Sequence, residues 1–489
     1  MAKKITFLDK AFWITESDAN PKHVASLQIL QLPRRAGEHY VKDLVDDLRE
    51  YKTGVEPFNC VVKQFLGYPT SLKKIDILNM QYHIQFHQLK NIGDRQSLHK
   101  LVAKLHEPRL DKDKPLWQFH VIESLEGDEF AIYIKIHHML GDGATLVKWF
   151  QAAYHEKASQ EEFVPIWETP HPKRPPRPSK PLITSLIAIG GFFMVVKDFI
   201  WILLRVFFKI IRINTHYMPI PFTGTKTVLT GQVKKGRVVS TVDLPFDRVK
   251  NLSKRLRASV NEVLLCSFDI GVHRFLREYG QSFDKALYTN VPINLRRKGD
   301  DTSGNKIAIV PVELAHGEKD PYLRLRQIIE NHRVVIRAAK RSRPAAFSYY
   351  TVFIQSVSLV YELLRMSNLV HPIANILISN MPGPKETRYF RDCKLKGVYP
   401  ISTITPGGGV NITLLTCGNT ANVGLVCCDN DIKSLEPLAE YFKESFELLE
   451  KSVEDDTLNI DDIGENVRQV EHSSVVEHQH YTTDEDYHG

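Results

Sequence analysis

His137-His138-Met139-Leu140-Gly141-Asp142-Gly143 places two imidazoles, a carboxylate and two glycines within seven residues. Histidine titrates near neutrality, and its neutral ring accepts a proton or binds a metal. Three chemistries follow: metal ligation, activation of a protein nucleophile, and base catalysis on a bound substrate. Metal binding is disfavoured, because adjacent strand residues point to opposite faces and no third ligand follows at usable spacing. A hydrolase triad needs a nucleophile, and the chain contains no Gly-x-Ser-x-Gly elbow. General-base catalysis by one histidine on a bound hydroxyl remains, an effect of ~10²–10⁴ in rate. A purely structural role for the whole segment stands beside it. Asp142 would orient a histidine or anchor the turn through an arginine.

The flanking elements must hold these groups in place. Phe130 to Ile136 is β-branched and aromatic, which predicts a buried strand. Val147, Phe150 and Tyr154 recur at helical spacing, which predicts a helix over Ala144–His155. The histidines therefore sit where a strand turns into a helix, with His137 and His138 directed to opposite sides. Elsewhere Val24–Ile29, Arg237–Leu244, Ala286–Leu295 and Ala308–Leu314 have strand patterns. Tyr40–Tyr51, Ser97–His106, Phe246–Ser259, Val260–Leu276, Pro321–Lys340 and Leu435–Lys451 have helical ones. Ser434 is the expected N-cap of the last, and Val410–Cys417 with Ala421–Asp429 predicts a hairpin across Gly418-Asn419.

Length and punctuation divide the chain. At 489 residues it exceeds one ordinary core. The proline-dense, basic stretch Pro170–Pro181 is neither helix nor central strand, so it marks a linker. The expected organisation is an α/β domain over 1–169, a linker and helical segment over 170–220, a second α/β domain over 221–452, and a tail over 453–489. The six cysteines form no CxxC pair, and the start lacks an apolar signal segment, so a cytoplasmic protein is expected.

Net charge is +7, but from Ser452 onward eleven acidic residues face only Arg468. Without them 63 basic side chains face 46 acidic ones, and the body carries +17. Such a body attracts anionic lipid, phosphate-bearing molecules or nucleic acid. No nucleic-acid recognition motif is present, so that class is set aside. The tail, with four scattered histidines, has a composition expected of disorder.

Leu182–Ile213 is the most apolar stretch. Its uncharged first half is shorter than the ~20 residues a bilayer span needs. In its second half Lys197, Asp198, Arg205, Lys209 and Arg212 fall on one arc, which predicts an amphipathic helix. Two readings stand: a helix packed on the protein's own core, and one lying in a membrane interface.

Six blocks in order along the chain resemble the wax ester synthase/diacylglycerol acyltransferase family. They are Leu8-Asp9 with Phe12 and Pro21-Lys22-His23-Val24; Pro115-Leu116-Trp117; the HHxxxDG segment itself; Asn290–Arg296; Ile378-Ser-Asn-Met-Pro-Gly-Pro384; and Pro400 through Gly407-Gly-Gly-Val-Asn-Ile-Thr413. HHxxxDG alone is the signature of the wider CoA-dependent acyltransferase superfamily, which includes condensation domains. The resemblance implies two chloramphenicol-acetyltransferase-like domains, each a mixed sheet flanked by helices, with the active site in a channel between them. It implies acyl-CoA as co-substrate, no tightly bound cofactor, no metal, and a fatty alcohol or diacylglycerol as acceptor. It also implies peripheral association with a membrane or lipid-droplet surface. A condensation-type acyltransferase on other thioesters and a non-catalytic lipid-binding homologue are the alternatives.

By the same resemblance His138 is the base, while His137, Asp142 and Gly143 shape its turn. Arg296 is the expected partner of Asp142. Asn380 is a candidate oxyanion or substrate contact, and Asn411 and Thr413 are weaker candidates of that kind. Asn261 carries over as site support; the family's following Asp is Glu262 here. Pro115, Leu116 and Trp117 fit core architecture beside the site. Met139 stands where the family commonly has a small residue; it narrows acceptor choice if it lines the channel and does nothing if it faces the core.

Overall fold

The computed structural model describes residues 5–141, 143–159, 163–170, 181–214, 217–281, 285–294, 307–428, 431–455 and 457–463. Asp142, Arg296 and residues 464–489 lie outside this set, as does most of the proline-rich stretch.

Two six-stranded mixed sheets organise the chain. The first runs Tyr389–Phe390, Cys393–Ile401, His23–Gln31, Glu129–His137, Trp117–Ser124, Ile84–Leu89, with only the last pair parallel. The second runs Arg237–Pro245, Thr420–Cys428, Val410–Cys417, Ile376–Met381, Tyr288–Asn294, Ile307–Glu313, and is parallel on both sides of Ile376–Met381. The α/β class with two mixed sheets is as expected.

The strand Glu129–His137 shows why it is buried on both faces. Phe130, Ile132, Ile134 and Ile136 alternate into the core of the first half. Ala131 and Tyr133 face the other way, into a cluster that also holds Leu98 and Val102 of the helix Arg95–His106 and Val239, Tyr399 and Val426. The two halves of the molecule meet there. Side chains on that second face are covered by protein rather than water, so its polar members are satisfied by backbone: Lys135 Nζ donates to the carbonyls of Leu105 and Pro108, each at 2.9 Å.

The division expected at residue 220 does not follow the sheets. Tyr389–Phe390 and Cys393–Ile401 belong to the second half of the sequence but complete the first sheet, with Ala25 opposite Ile401. Local patterning cannot distinguish the sheet a strand will join, because alternation records burial and not partner. Cys393–Ile401 also touches the second sheet: Val398 N–H donates to Asn422 Oδ1 at 3.1 Å, and Gly424 lies directly under the Pro400 carbonyl, where no Cβ would fit. This strand ties the halves together.

The helix Val260–Glu278 is buried by Glu436–Lys451, and Gly271 permits their approach, since a Cβ there would stand 2.6 Å from Phe442. The N-cap of the helix Glu436–Lys451 is Leu435 and not Ser434 as expected; Ser434, one residue earlier, still accepts from the Glu436 amide through its Oγ at 3.2 Å.

One continuous helix spans Pro181–Ile210. Ile202 and Val206 are buried against the second half, with Val195, Phe199 and Leu203 beside them. Three residues of the charged arc engage the protein, while Lys197 and Arg212 stay exposed. Asp198 pairs with Arg343 at 2.8 Å, Lys209 Nζ donates to the Tyr217 carbonyl, and Arg205 lies over the rings of Trp201 and Tyr217. The solvent face is instead mostly apolar: Phe193, Ile200, Trp201, Leu204, Phe207 and Ile211 are exposed. One stripe of the helix thus packs on the core, and a second is uncovered. Among the described residues no helix is long and apolar enough to cross a membrane.

Candidate active site

The site is built where the strand Glu129–His137 ends. His137 sits directly opposite His23, and its amide donates to the Leu116 carbonyl at 3.0 Å. His137 is fully buried, and His138, in the following turn, is partly exposed. The two rings differ in burial, the strand ending at His137 itself. The His137 ring stays inside: Nδ1 accepts from the Met139 amide at 3.1 Å, and Nε2 faces Glu16 Oε1 at 3.5 Å. Leu140 N–H then donates to the His137 carbonyl, closing the turn. The helix Gly143–Ala153 follows.

A short N-terminal helix, Phe7–Thr15, lies over this turn. Asp9 and Thr6 form its capping box, which explains that acidic position in physical terms. Phe12 stacks on the His138 ring, with centroids 4.0 Å apart and planes 15° from parallel. Trp13 stands against His137, and its own ring carries the Lys112 ammonium at 4.2 Å. The Lys22 carbonyl accepts the His138 amide at 2.8 Å. Both histidines are therefore held from the same side, by residues far away in sequence.

Electrostatics around the turn are dominated by burial. His23 Nε2 donates to the His106 carbonyl at 2.7 Å, and both rings are held well below the usual histidine range because desolvation disfavours their charge. His23 is a structural residue. Burial likewise pulls Lys22 and Lys135 down to about 8. Burial opposes the charge of Glu16 too, but the His137 contact, the Lys22 amide and Lys112 outweigh it and hold the carboxyl below its usual value. A buried carboxylate beside an imidazole edge favours a proton on the nitrogen that faces it.

The other sequence-derived residues divide into two sets. Leu116 and Trp117 are core: Trp117 stacks between His83 and Trp167 and donates to the Phe58 carbonyl at 2.9 Å. Pro115 leads into that strand. Met139 is buried in the same hydrophobic cluster, so it faces the core. Asn411 and Thr413 are buried and occupied with each other, Thr413 Oγ1 donating to Asn411 Oδ1 and Asn411 Nδ2 donating to the Thr403 carbonyl. They pin the loop leading to their strand. Asn380 Nδ2 donates to Asn261 Oδ1 at 2.7 Å, so these two come together as a pair, and both are exposed. Glu262 closes a capping box with Ser259 and contacts His332 at 3.1 Å, a task that suits the longer side chain. Met381, next to Asn380, reaches the HHxxxDG segment, its sulfur 2.6 Å from where a Gly143 Cβ would stand. Arg296, with the basic cluster around it, and Asp142 lie outside the described residues.

Against known families, residues 5–264 match the wax ester synthase/diacylglycerol acyltransferase catalytic domain, and residues 303–450 match the WS/DGAT C-terminal domain. The chain belongs to the wax ester synthase/diacylglycerol acyltransferase family. A probable diacylglycerol O-acyltransferase of Mycobacterium tuberculosis is 27% identical over 460 residues, covering 91% of this chain and 98% of that protein. The O-acyltransferase WSD of Acinetobacter baylyi is 26% identical over 450 residues, covering 91% and 96%. In fold, the wax ester synthase/diacylglycerol acyltransferase from Marinobacter aquaeolei superposes with a TM-score of 0.71 at 22% identity, covering 92% and 98% of the two chains. The first condensation domain of the calcium-dependent antibiotic synthetase superposes at 0.58 with 14% identity, covering 95% and 99%. In this family's terms, the structure joins the HHxxxDG block to the Ile378–Pro384 block through Gly143 and Met381, although 238 positions separate those two residues.

Sequence reasoning missed Glu16, Trp13 and Lys112. No local signal announces them, since the contacts that join them to one another and to His137 cross more than 90 residues. Phe12 and Lys22 were visible as members of a block, but not what they touch.

Proposed function

We propose that this protein transfers a fatty acyl group from acyl-CoA to a lipid alcohol, a long-chain alcohol or diacylglycerol, with His138 as general base. The observation that carries the reading is the contrast between the two histidines: His137 is fully buried, its Nδ1 bonded to the Met139 amide and its Nε2 facing Glu16, while His138 is partly exposed and stacked on Phe12. His138 takes the hydroxyl proton as the alcohol oxygen attacks the thioester carbon. The tetrahedral oxyanion collapses, the carbon–sulfur bond breaks, and the imidazolium returns its proton to the CoA thiolate. No acyl-enzyme forms, and no protein nucleophile is required. Asn380 and Asn261, exposed and side by side, supply amide groups for the developing charge.

The same reading assigns the uncovered apolar stripe of Pro181–Ile210 to a membrane or lipid-droplet surface. Helix Pro344–Leu363 extends it with exposed Tyr349, Val352, Phe353 and Val360, and Phe199 touches Phe353. Contiguous exposed aromatics on two packed helices are the form of an interfacial site. Such docking would bring the enzyme to substrates that dissolve poorly in water.

The test is direct. Purified protein given palmitoyl-CoA with hexadecanol, and separately with diolein, should release free thiol and form the ester of at least one acceptor. His138→Ala should abolish both products while preserving the thermal melt. Full turnover by that folded variant sinks the base assignment.

A further inference from the structure

Glu16 has an unusual position for a carboxylate that no block of the sequence contains. Its side chain is fully buried, at the C-terminal end of the helix Phe7–Thr15. Oε1 accepts from the Lys22 amide at 3.2 Å and faces His137 Nε2 at 3.5 Å, while Oε2 lies 3.3 Å from Lys112 Nζ. Placing a carboxylate there costs desolvation that three separate contacts offset, an arrangement hard to account for by packing alone.

We propose that Glu16 is a positioning residue for the acyl-transfer reaction, acting through His137 on the shape of the turn that carries His138. The inference rests on the reading of His138 as the base. Its logic is a proton count. The Met139 amide can only donate, so His137 Nδ1, which receives it, carries no proton in the neutral ring. The ring proton is then on Nε2, the nitrogen that looks at Glu16. A negative charge at that edge favors this tautomer over the other. The alternative tautomer sets an N–H against the Met139 N–H and opens the turn at the residue after His138. The Lys22 amide, which donates to the same Oε1 at 3.2 Å, fixes the carboxylate against the His137 edge.

Two near-isosteric variants of the full-length protein separate the roles. Glu16→Gln keeps an acceptor oxygen for Nε2–H and for the Lys22 amide; Glu16→Met keeps volume and removes the acceptor. The expected result is a fall in kcat of about tenfold or more for Glu16→Met, a fraction of what a positioned base supplies, with KM for acyl-CoA little changed and Glu16→Gln near wild type. The deciding measurement repeats Glu16→Met in a His137→Ala background, which retains His138. If Glu16 acts through His137, the second substitution there costs less than about twofold. An equal loss in both backgrounds, or a kcat for Glu16→Gln as low as for Glu16→Met, overturns the proposal. His138→Ala is measured in parallel: activity there counts against the base and leaves the Glu16–His137 coupling to be read from the other variants.

Discussion

The sulfur of Met381 occupies the space in which any side chain on Gly143 would stand, 2.6 Å from the Cβ position. The last residue of the histidine motif and a residue of the second half's central strand are thereby matched in size. Substitution should expose that match. Gly143→Val should reduce turnover by at least about tenfold, because overpacking costs about 1–3 kcal/mol and must displace one of the two elements. Gly143→Ala should cost less, since a methionine end is flexible. Met381→Ala combined with Gly143→Ala should recover activity relative to Gly143→Ala alone. Additive losses in ester formation would show that the two residues do not share the space.

Phe12 stacks on His138 nearly face to face. An aromatic pair of this kind contributes about 0.5–1.5 kcal/mol, so Phe12→Ala should lower kcat by up to about tenfold while the overall melt moves little. Phe12→Tyr should be close to wild type. Steady-state kinetics with a single acceptor distinguish this from a loss of acyl-CoA affinity, which would appear in KM.

Acid should destabilise the fold through its buried histidines. His23, His106 and His120 are held well below the usual range by burial, and His83 is lowered to about 4. The unfolded chain binds protons near pH 6.5, where these rings remain neutral in the native state, so the unfolded state holds more protons. Stability is then fully present above about pH 6.5 and is lost as pH falls from there toward 4. Urea midpoints at pH 7, 6 and 5 should decline, most of the loss falling below about pH 6.5. A midpoint that rises toward pH 5 would contradict the neutral assignment.

The uncovered apolar face makes a separable prediction. Trp201 and Phe353 are each about half exposed, at 50% and 52%. Trp201→Asp with Phe353→Asp should weaken sedimentation with anionic vesicles by at least about tenfold, because each substitution replaces buried apolar area at the interface with charge. The melting temperature should stay within a few degrees, as neither side chain is core. Unchanged vesicle binding would remove this face from consideration.

Much of the architecture is legible in the sequence because local chemistry decides it. The β-branched and aromatic run Phe130–Ile136 sets a buried strand, and helical spacing sets Val260–Glu278 and Pro321–Arg341. Proline and glycine place the final helix and the hairpin before it. The identity of the histidine motif and its place at a strand end need no more than strand geometry.

Tertiary structure alone decided the rest. Nothing local says that Cys393–Ile401 joins the first sheet, because alternation encodes burial without naming a partner. The helix Pro181–Ile210 looked amphipathic in one sense, yet Asp198, Arg205 and Lys209 found partners on the protein and left a mostly apolar stripe outside. Asn411 and Thr413 seemed available for substrate until the fold paired them with each other. Glu16 became part of the site only when the chain brought it under His137. Side-chain type and spacing determine what a residue can do; packing across hundreds of positions determines which neighbour it does it with.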